Sequence, residues 1–306
     1  MRNLTSKQNS EANAAFGRVR LIAVDMDGTL LNEQLAVSDE NLRAIRKAQA
    51  MGIHLVIATG RGYDEAVRPL RDAGLVCPVI CVNGAETRSQ EGIKLCSTPL
   101  SPESFRQLDR IFRNHRVYYE LYTNQGTFTD NRQKAINIIF DYVRSMDSDL
   151  EDARIYALAE ERFATGERIE VHSYSEVLSR AGIEIYKLLA FSYDLGRLQQ
   201  VRRQVEELGA IAVSSSADHN LEINHIQAQK GIAVEQWAKR HGIPLEQVMA
   251  IGDNRNDLSM LLMAGFSVAM GNADEDIKRS CKFVTKTNQE HGVAHAIEWV
   301  LKEWNG

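Results

Sequence analysis

After a polar opening stretch, short apolar runs alternate with amphipathic ones. The mostly apolar run from Val19 to Val24 stops at Asp25 and predicts a buried strand. From Ser38 to Ala50 the residues Leu42, Ile45 and Ala48 recur at helical spacing, with Ser38 placed to cap the helix and Gly52 to end it. Ile53 to Ala58 predicts a second strand, stopping at Thr59-Gly60. Asp64 to Ala73 reads as a helix closed by Gly74, and Pro78 to Val82 as a third strand ending at Asn83-Gly84. Strands alternating with helices predict a parallel sheet covered on both faces.

The pattern then changes. Val117 to Asp130 and Lys187 to Tyr193 predict strands of a different sheet; Pro102 to Asn114, Arg132 to Met146 and Leu195 to Leu208 predict helices. Ile211 to Ser216 and Asn220 to Asn224 predict a hairpin across Asp218-His219. The first pattern resumes with a helix from Lys230 to His241, a strand from Val248 to Ile251 and a helix from Asp257 to Ala264. Short strands at Ser267 to Met270 and Lys282 to Val284 and a helix from Val293 to Trp304 complete it. The expected fold is α/β: a doubly wound parallel-sheet core over 18–85 and 223–306, an inserted α/β cap over 86–222, and a disordered extension over 1–17. A chain of 306 residues is also longer than one core usually serves.

Composition narrows the class without naming a function. The hydrophobic fraction of 44% and charged fraction of 25% are those of a soluble globular protein. A net charge of -5 argues against a nucleic-acid partner, which needs clustered Lys and Arg. No apolar run is long enough to span a bilayer, and 1–17 lacks the apolar middle of a signal peptide, so no membrane partner and a cytoplasmic location are expected. Cys77, Cys81, Cys96 and Cys281 form no C-x-x-C pair and read as reduced thiols. Oligomeric state has no signature.

The candidate chemistry sits where predicted strands end, which is where open α/β sheets bind ligands. Asp25-Met26-Asp27-Gly28-Thr29 follows the first strand. Two carboxylates at i and i+2 on a strand exit can face one site, Gly28 permits a sharp turn, and Thr29 can donate back to a carboxylate. Gly252-Asp253-Asn254-Arg255-Asn256-Asp257 follows another buried strand and adds two acids. Four hard carboxylates without a His or Cys partner would repel one another without a cation, and they favour Mg²⁺ over zinc. Ala58-Thr59-Gly60-Arg61 offers a hydroxyl and a glycine amide at a strand-to-helix turn, a place that can hold phosphate. Lys230-Gly231 opens a helix where the core resumes. Singly these segments also fit a solvated acidic turn, an Asp/Asn-rich helix cap, an ordinary tight turn and a surface lysine.

Together, with Asn83-Gly84-Ala85 and in this order and spacing, the segments resemble the haloacid dehalogenase superfamily, and specifically its Cof-type phosphatases with an inserted α/β cap. The resemblance covers nearly the whole chain after Gly17. It implies an enzyme that hydrolyses a small phosphate ester, such as a sugar, nucleotide or cofactor phosphate, through an aspartyl-phosphate. It further implies Asp25 as nucleophile and Mg²⁺ ligand, and Asp27 as general acid and base with its backbone carbonyl on the metal. Met26, Thr59, Gly60, Lys230 and Asn256 would hold phosphate; Asp253 would complete the metal ligands and Asp257 would support the metal.

A carboxylate attacking a phosphate dianion meets like-charge repulsion of roughly 4 kcal/mol per unit pair at about 4 Å and an effective dielectric near 20. Nearby Mg²⁺ and Lys230 have the charge to offset it, and positioned cations are the main device of phosphoryl transfer. The alternatives are a phosphotransferase or phosphomutase on the same core and, outside enzymes, a receiver-like switch phosphorylated on aspartate. Asp27 argues against the switch because an acid/base promotes turnover. One departure from the family pattern is His291 in Asn288-Gln289-Glu290-His291-Gly292-Val293, where an acid is usual; an exposed loop histidine is expected. His291 and His295 stand at i and i+4, but Gly292 intervenes and no third zinc ligand is evident. Tyr118, Tyr119 and Tyr122 are candidates to line a pocket in the insertion, but alternate strand residues facing the insertion's own core are the commoner arrangement.

Overall fold

The computed structural model describes residues 19–146 and 149–303; the expected extension over 1–17 lies outside them. The first run forms β1 (Leu21–Val24), hydrogen-bonded in parallel on one side to β2 (His54–Ala58) and on the other to β12 (Val248–Gly252). With β3 (Val79–Cys81), β13 (Phe266–Ala269) and β14 (Phe283–Val284) these make a six-strand parallel layer, extended antiparallel by β4 (Glu86–Arg88) and β5 (Lys94–Ser97).

Strand alternation decides which residue enters which half of the core. Ile22, Val24, Leu55, Ile57, Met249 and Ile251 pack towards α1 (Asp39–Ala50), α2 (Tyr63–Asp72) and α11 (Gly292–Glu303). Leu21, Ala23, Val56, Ala58, Val248 and Ala250 pack towards α8 (Lys230–Arg240), α9 (Leu258–Met263) and α10 (Glu275–Ser280). Ser38 accepts from the Asn41 amide at the start of α1, as its spacing predicts.

The inserted α/β unit is a six-stranded sheet in the order β10-β11-β9-β6-β7-β8. Its strands are β6 (Tyr118–Thr123), β7 (Gly126–Thr129), β8 (Arg168–Glu170), β9 (Ile185–Phe191), β10 (Ile211–Ser214) and β11 (Asn220–His225). One face carries α3 (Pro102–His115), α6 (Tyr174–Leu178) and α7 (Leu195–Glu206) over Tyr119, Leu121, Leu188, Ala190, Leu221 and Ile223. Between β7 and β8 stand α4 (Arg132–Met146) and α5 (Asp152–Ala164). The segment over 86–222 therefore does not lie wholly in the smaller sheet: β4 and β5 continue the larger one, while β11 runs to His225 within the smaller. Among the described residues no helix is long and apolar enough to cross a membrane.

The other face of the smaller sheet meets the larger unit. Strand register places Asn224, Lys187, Tyr122, Thr127 and Arg168 in one row across five strands. A bulge at the Tyr122/Thr123 step lets Ile185 face the helices while Lys187 faces the larger sheet. Along that row the Asn224 amide donates to the Val82 carbonyl, Lys187 to the Gly60 carbonyl, and Arg168 to the Glu65 carboxylate on α2.

Candidate active site

The expected strand ends converge. Asp25 leaves β1 with its amide on the Ile251 carbonyl, Thr59 leaves β2 with its amide on Ile80, and Asp253 leaves β12. After Asp25 the chain wraps tightly, with the Leu31 amide reaching the Met26 carbonyl. Gly28 at φ +73° makes this wrap possible, and any Cβ there would sit 2.4 Å from Asp253 Oδ2. The Met26 side chain is buried in the core, so only its backbone can serve the loop.

Lys230 is fully buried, and its Nζ lies 2.6 Å from both Asp25 Oδ1 and Asp257 Oδ1. Gly231 puts it there: a side chain at this position would meet the Ser259 carbonyl at 2.2 Å, so only glycine lets α8 approach so closely. The other Asp257 oxygen accepts from the Asp253 and Asn254 amides, each at 3.0 Å. Both Asp257 oxygens are thus already engaged, which suits a supporting acid. Thr29 does donate back to a carboxylate, that of Asp253 at 2.8 Å.

Among the described residues, Asp25, Asp253 and Asp257 form the one group of three or more possible metal-ligating side chains, each offering an oxygen within 4.8 Å of the others. Burial, then the charge of Asp257, holds the Asp25 carboxyl well above the usual carboxylate range, and Lys230 offsets only part of this. Burial and Asp257 likewise push Asp253 up to about 7. Burial opposes the charge on Lys230, but Asp25 and Asp257 together hold its ammonium above the ordinary lysine value. Three acids against one ammonium leave negative charge to be met. Hard oxygen donors with no nitrogen or sulfur among them can hold a metal ion.

The Asp27 side chain is not part of that group. Its carboxylate forms a two-pronged pair with Arg61, Nε to Oδ2 at 2.8 Å and Nη2 to Oδ1 at 2.5 Å. Asp25 and Asp27 both keep extended backbone as the chain leaves β1, the turn at Gly28 follows them, and Arg61 orients the Asp27 carboxylate. The Arg61 amide donates to Thr59 Oγ1 at 3.1 Å. Asn256 Nδ2 lies 3.5 Å from Asn83 Oδ1, and Asn83 itself, at φ +59°, donates to Asn224 and to the Glu222 carboxylate of β11.

The row from the smaller sheet brings further charged side chains up to the larger unit, and sequence reasoning missed them. Arg168 lies 3.0 Å from Glu65 and 3.2 Å from Glu120, and donates to the Tyr122 hydroxyl. Arg68 on α2 pairs with Glu167, a second bridge between the two units. For Glu120 and Lys187 the signal was charge inside strands, as in Tyr118-Tyr119-Glu120 and Tyr186-Lys187-Leu188. The tyrosines divide between the two faces of the smaller sheet. Tyr119 does face the insertion's own core, whereas Tyr122 packs with the larger unit's cluster and Tyr118 bonds to Thr129 on the same side of the sheet. His291 lies elsewhere, with Nδ1 3.0 Å from Ser38 Oγ and Nε2 3.5 Å from Glu40 at the start of α1; His295 meets Thr285.

Residues 22–297 match the model of the haloacid dehalogenase-like hydrolases. The chain is 35% identical to phosphatase YwpJ of Bacillus subtilis, over 92% of this chain and all of that one. It is 33% identical to the 5-amino-6-(5-phospho-D-ribitylamino)uracil phosphatase YwtE of the same organism, over 92% of this chain and 98% of that one. A solved haloacid dehalogenase-like hydrolase from B. subtilis superposes with a TM-score of 0.82 at 35% identity, covering 91% of this chain and 99% of that one. The α/β core with its inserted unit, the converging strand ends and these matches agree: the chain belongs to the haloacid dehalogenase-like hydrolase family and is an enzyme.

Proposed function

We propose that this enzyme is a cytoplasmic, Mg²⁺-dependent phosphatase that hydrolyses a small-molecule phosphate monoester by way of an aspartyl-phosphate on Asp25. The observation that carries this reading is the buried Asp25–Lys230–Asp257 cluster at the end of β1, beside Asp253. A carboxylate so placed faces the incoming phosphate with an ammonium already bonded to it. Asp25 and Asp253, with Asp257 in support and the Asp27 backbone, would hold Mg²⁺, whose role when bound is to neutralise charge on the transferring group.

In the first step an Asp25 oxygen bonds to phosphorus as the ester P–O bond breaks, and Asp27 gives a proton to the departing alcohol. In the second, Asp27 takes a proton from water as its oxygen attacks phosphorus, releasing phosphate and free Asp25. Thr59, Gly60, the Met26 backbone, Asn256 and Lys230 hold the phosphoryl group. Arg61 fixes the Asp27 carboxylate in one orientation. The smaller unit acts as a cap that governs access and selectivity. Because β4 and β5 pair with the larger sheet and β11 with the smaller, the functional cap runs from about residue 98 to 225. The relatives named for aminouracil ribityl phosphate support an ester of metabolite size.

A panel of metabolite phosphates assayed for free phosphate, with Mg²⁺ and again after thorough chelation, tests this. Metal-dependent phosphate release is expected. Isomerised sugar phosphate without release would favour a mutase, and activity indifferent to chelation would rule out the mechanism.

A further inference from the structure

We infer that Lys187 is a positioning residue for the phosphate turn, its ammonium holding the Gly60 carbonyl from across the unit boundary. This rests on the phosphatase reading. Lys187 stands on β9, only 2% exposed, with Nζ 2.7 Å from the Gly60 oxygen, 3.6 Å from Glu222 Oε1 and 4.4 Å from the centre of the Tyr122 ring. Burying an ammonium is costly, and here the Gly60 carbonyl and the Glu222 carboxylate are what offset it.

What it grips matters to the reaction. The Gly60 carbonyl and the Arg61 amide belong to one peptide plane, so fixing one fixes the other. That amide donates to Thr59 Oγ1, so the Thr59 hydroxyl proton is directed elsewhere, towards a bound phosphoryl oxygen. The same residue, Arg61, carries the Asp27 carboxylate. One bond from the cap therefore bears on the phosphate-holding hydroxyl and the acid/base together. It adds to the larger unit's own hold on this turn, through the Val82 amide on the Arg61 carbonyl and the Asn83 amide on the Thr59 carbonyl. The competing role for Lys187 is to neutralise Glu222, which hydrogen-bonds to Asn83 and Ser216 beside Gly60.

The two roles separate in a double variant. Lys187→Met alone strands the Glu222 carboxylate and lowers stability. Lys187→Met with Glu222→Gln removes both charges, and its melting temperature is expected to return close to wild type. If Lys187 positions the turn, kcat/KM for an aryl phosphate stays down by about a hundredfold in the double variant. Amide hydrogen exchange in the peptide spanning residues 58–62 is then faster than in wild type. Wild-type turnover and wild-type exchange in the double variant would overturn the inference, because Lys187 would then serve Glu222 alone. A wild-type enzyme inactive on every phosphate ester would instead break the phosphatase reading, while the exchange comparison would still decide the role of Lys187.

Discussion

The floor and the roof of the site both bury carboxylates, and they treat them in opposite ways. On the floor, burial and mutual repulsion raise Asp25 and Asp253, because three acids share the single ammonium of Lys230. In the roof and its seam, burial again opposes ionisation, yet Arg168 holds Glu65 below the ordinary carboxylate range and Lys187, with Asn83 and Ser216, does the same for Glu222. Glu120 is the exception: burial raises it, because it shares Arg168 with Glu65. The difference separates two uses of buried charge. The floor's carboxylates outnumber its one ammonium, whereas the roof's charges largely complete one another and join the two units.

That contrast can be broken at several points. The largest effect is on turnover: Asp25→Asn should reduce phosphate release to background for every ester, since an amide is a poor nucleophile, and a steady-state assay decides it. Next, Arg168→Met should destabilise the protein by about 3–5 kcal/mol by leaving two buried carboxylates without a partner. Adding Glu65→Gln and Glu120→Gln should recover most of that loss in denaturant titration. If the single variant is as stable as wild type, the roof's pairs are not what joins the units. In the floor the sign should reverse. Asp253→Asn should stabilise the metal-free protein by about 1–2 kcal/mol while abolishing activity, as relief of like-charge strain at an active site commonly does.

The smallest expected effect is on pH. The folded carboxyl of Asp253 titrates near 7, above its unfolded value, so the folded state binds more protons between those two values. Stability of the metal-free protein should therefore fall as pH rises from about 4 to about 7, and the gain in melting temperature on adding Mg²⁺ should be larger at pH 8 than at pH 5. An equal gain at both would show that the floor carries no strain for a cation to relieve. Calcium should raise the melting temperature too but support turnover poorly, because its larger, flexible shell misplaces the nucleophile.

The floor was largely legible in the sequence because three of its segments follow buried strands, and a parallel sheet brings strand ends to one edge. Asp25, Thr59, Asp253 and Asp257 lie where that logic puts them, whereas Lys230 opens α8 after a strand of the smaller sheet and reaches the floor through the close approach at Gly231. What the spacing could not convey was Arg61 as the partner that holds the Asp27 carboxylate. The roof was not legible for a different reason. Glu120, Lys187 and Glu222 alternate with apolar residues, and a period-2 pattern reads the same whether the polar face meets water or another part of the chain. The helix Asp152–Ala164 went unforeseen because little of it is buried beyond Ile155 and Ala159, so its apolar periodicity is weak.

The central claim, that Asp25 carries the phosphoryl group, is tested most directly in Asp27→Asn. A nitrophenolate leaves without protonation, so the first step should survive, while the second, lacking its base, should slow. Rapid quench with nitrophenyl phosphate and Mg²⁺ should show a burst close to one nitrophenolate per site, and mass spectrometry should find one phosphoryl group on the peptide containing Asp25. A sugar phosphate should give no burst, because its alkoxide needs an acid. Slow, linear nitrophenolate release with an unmodified Asp25 peptide would contradict the account.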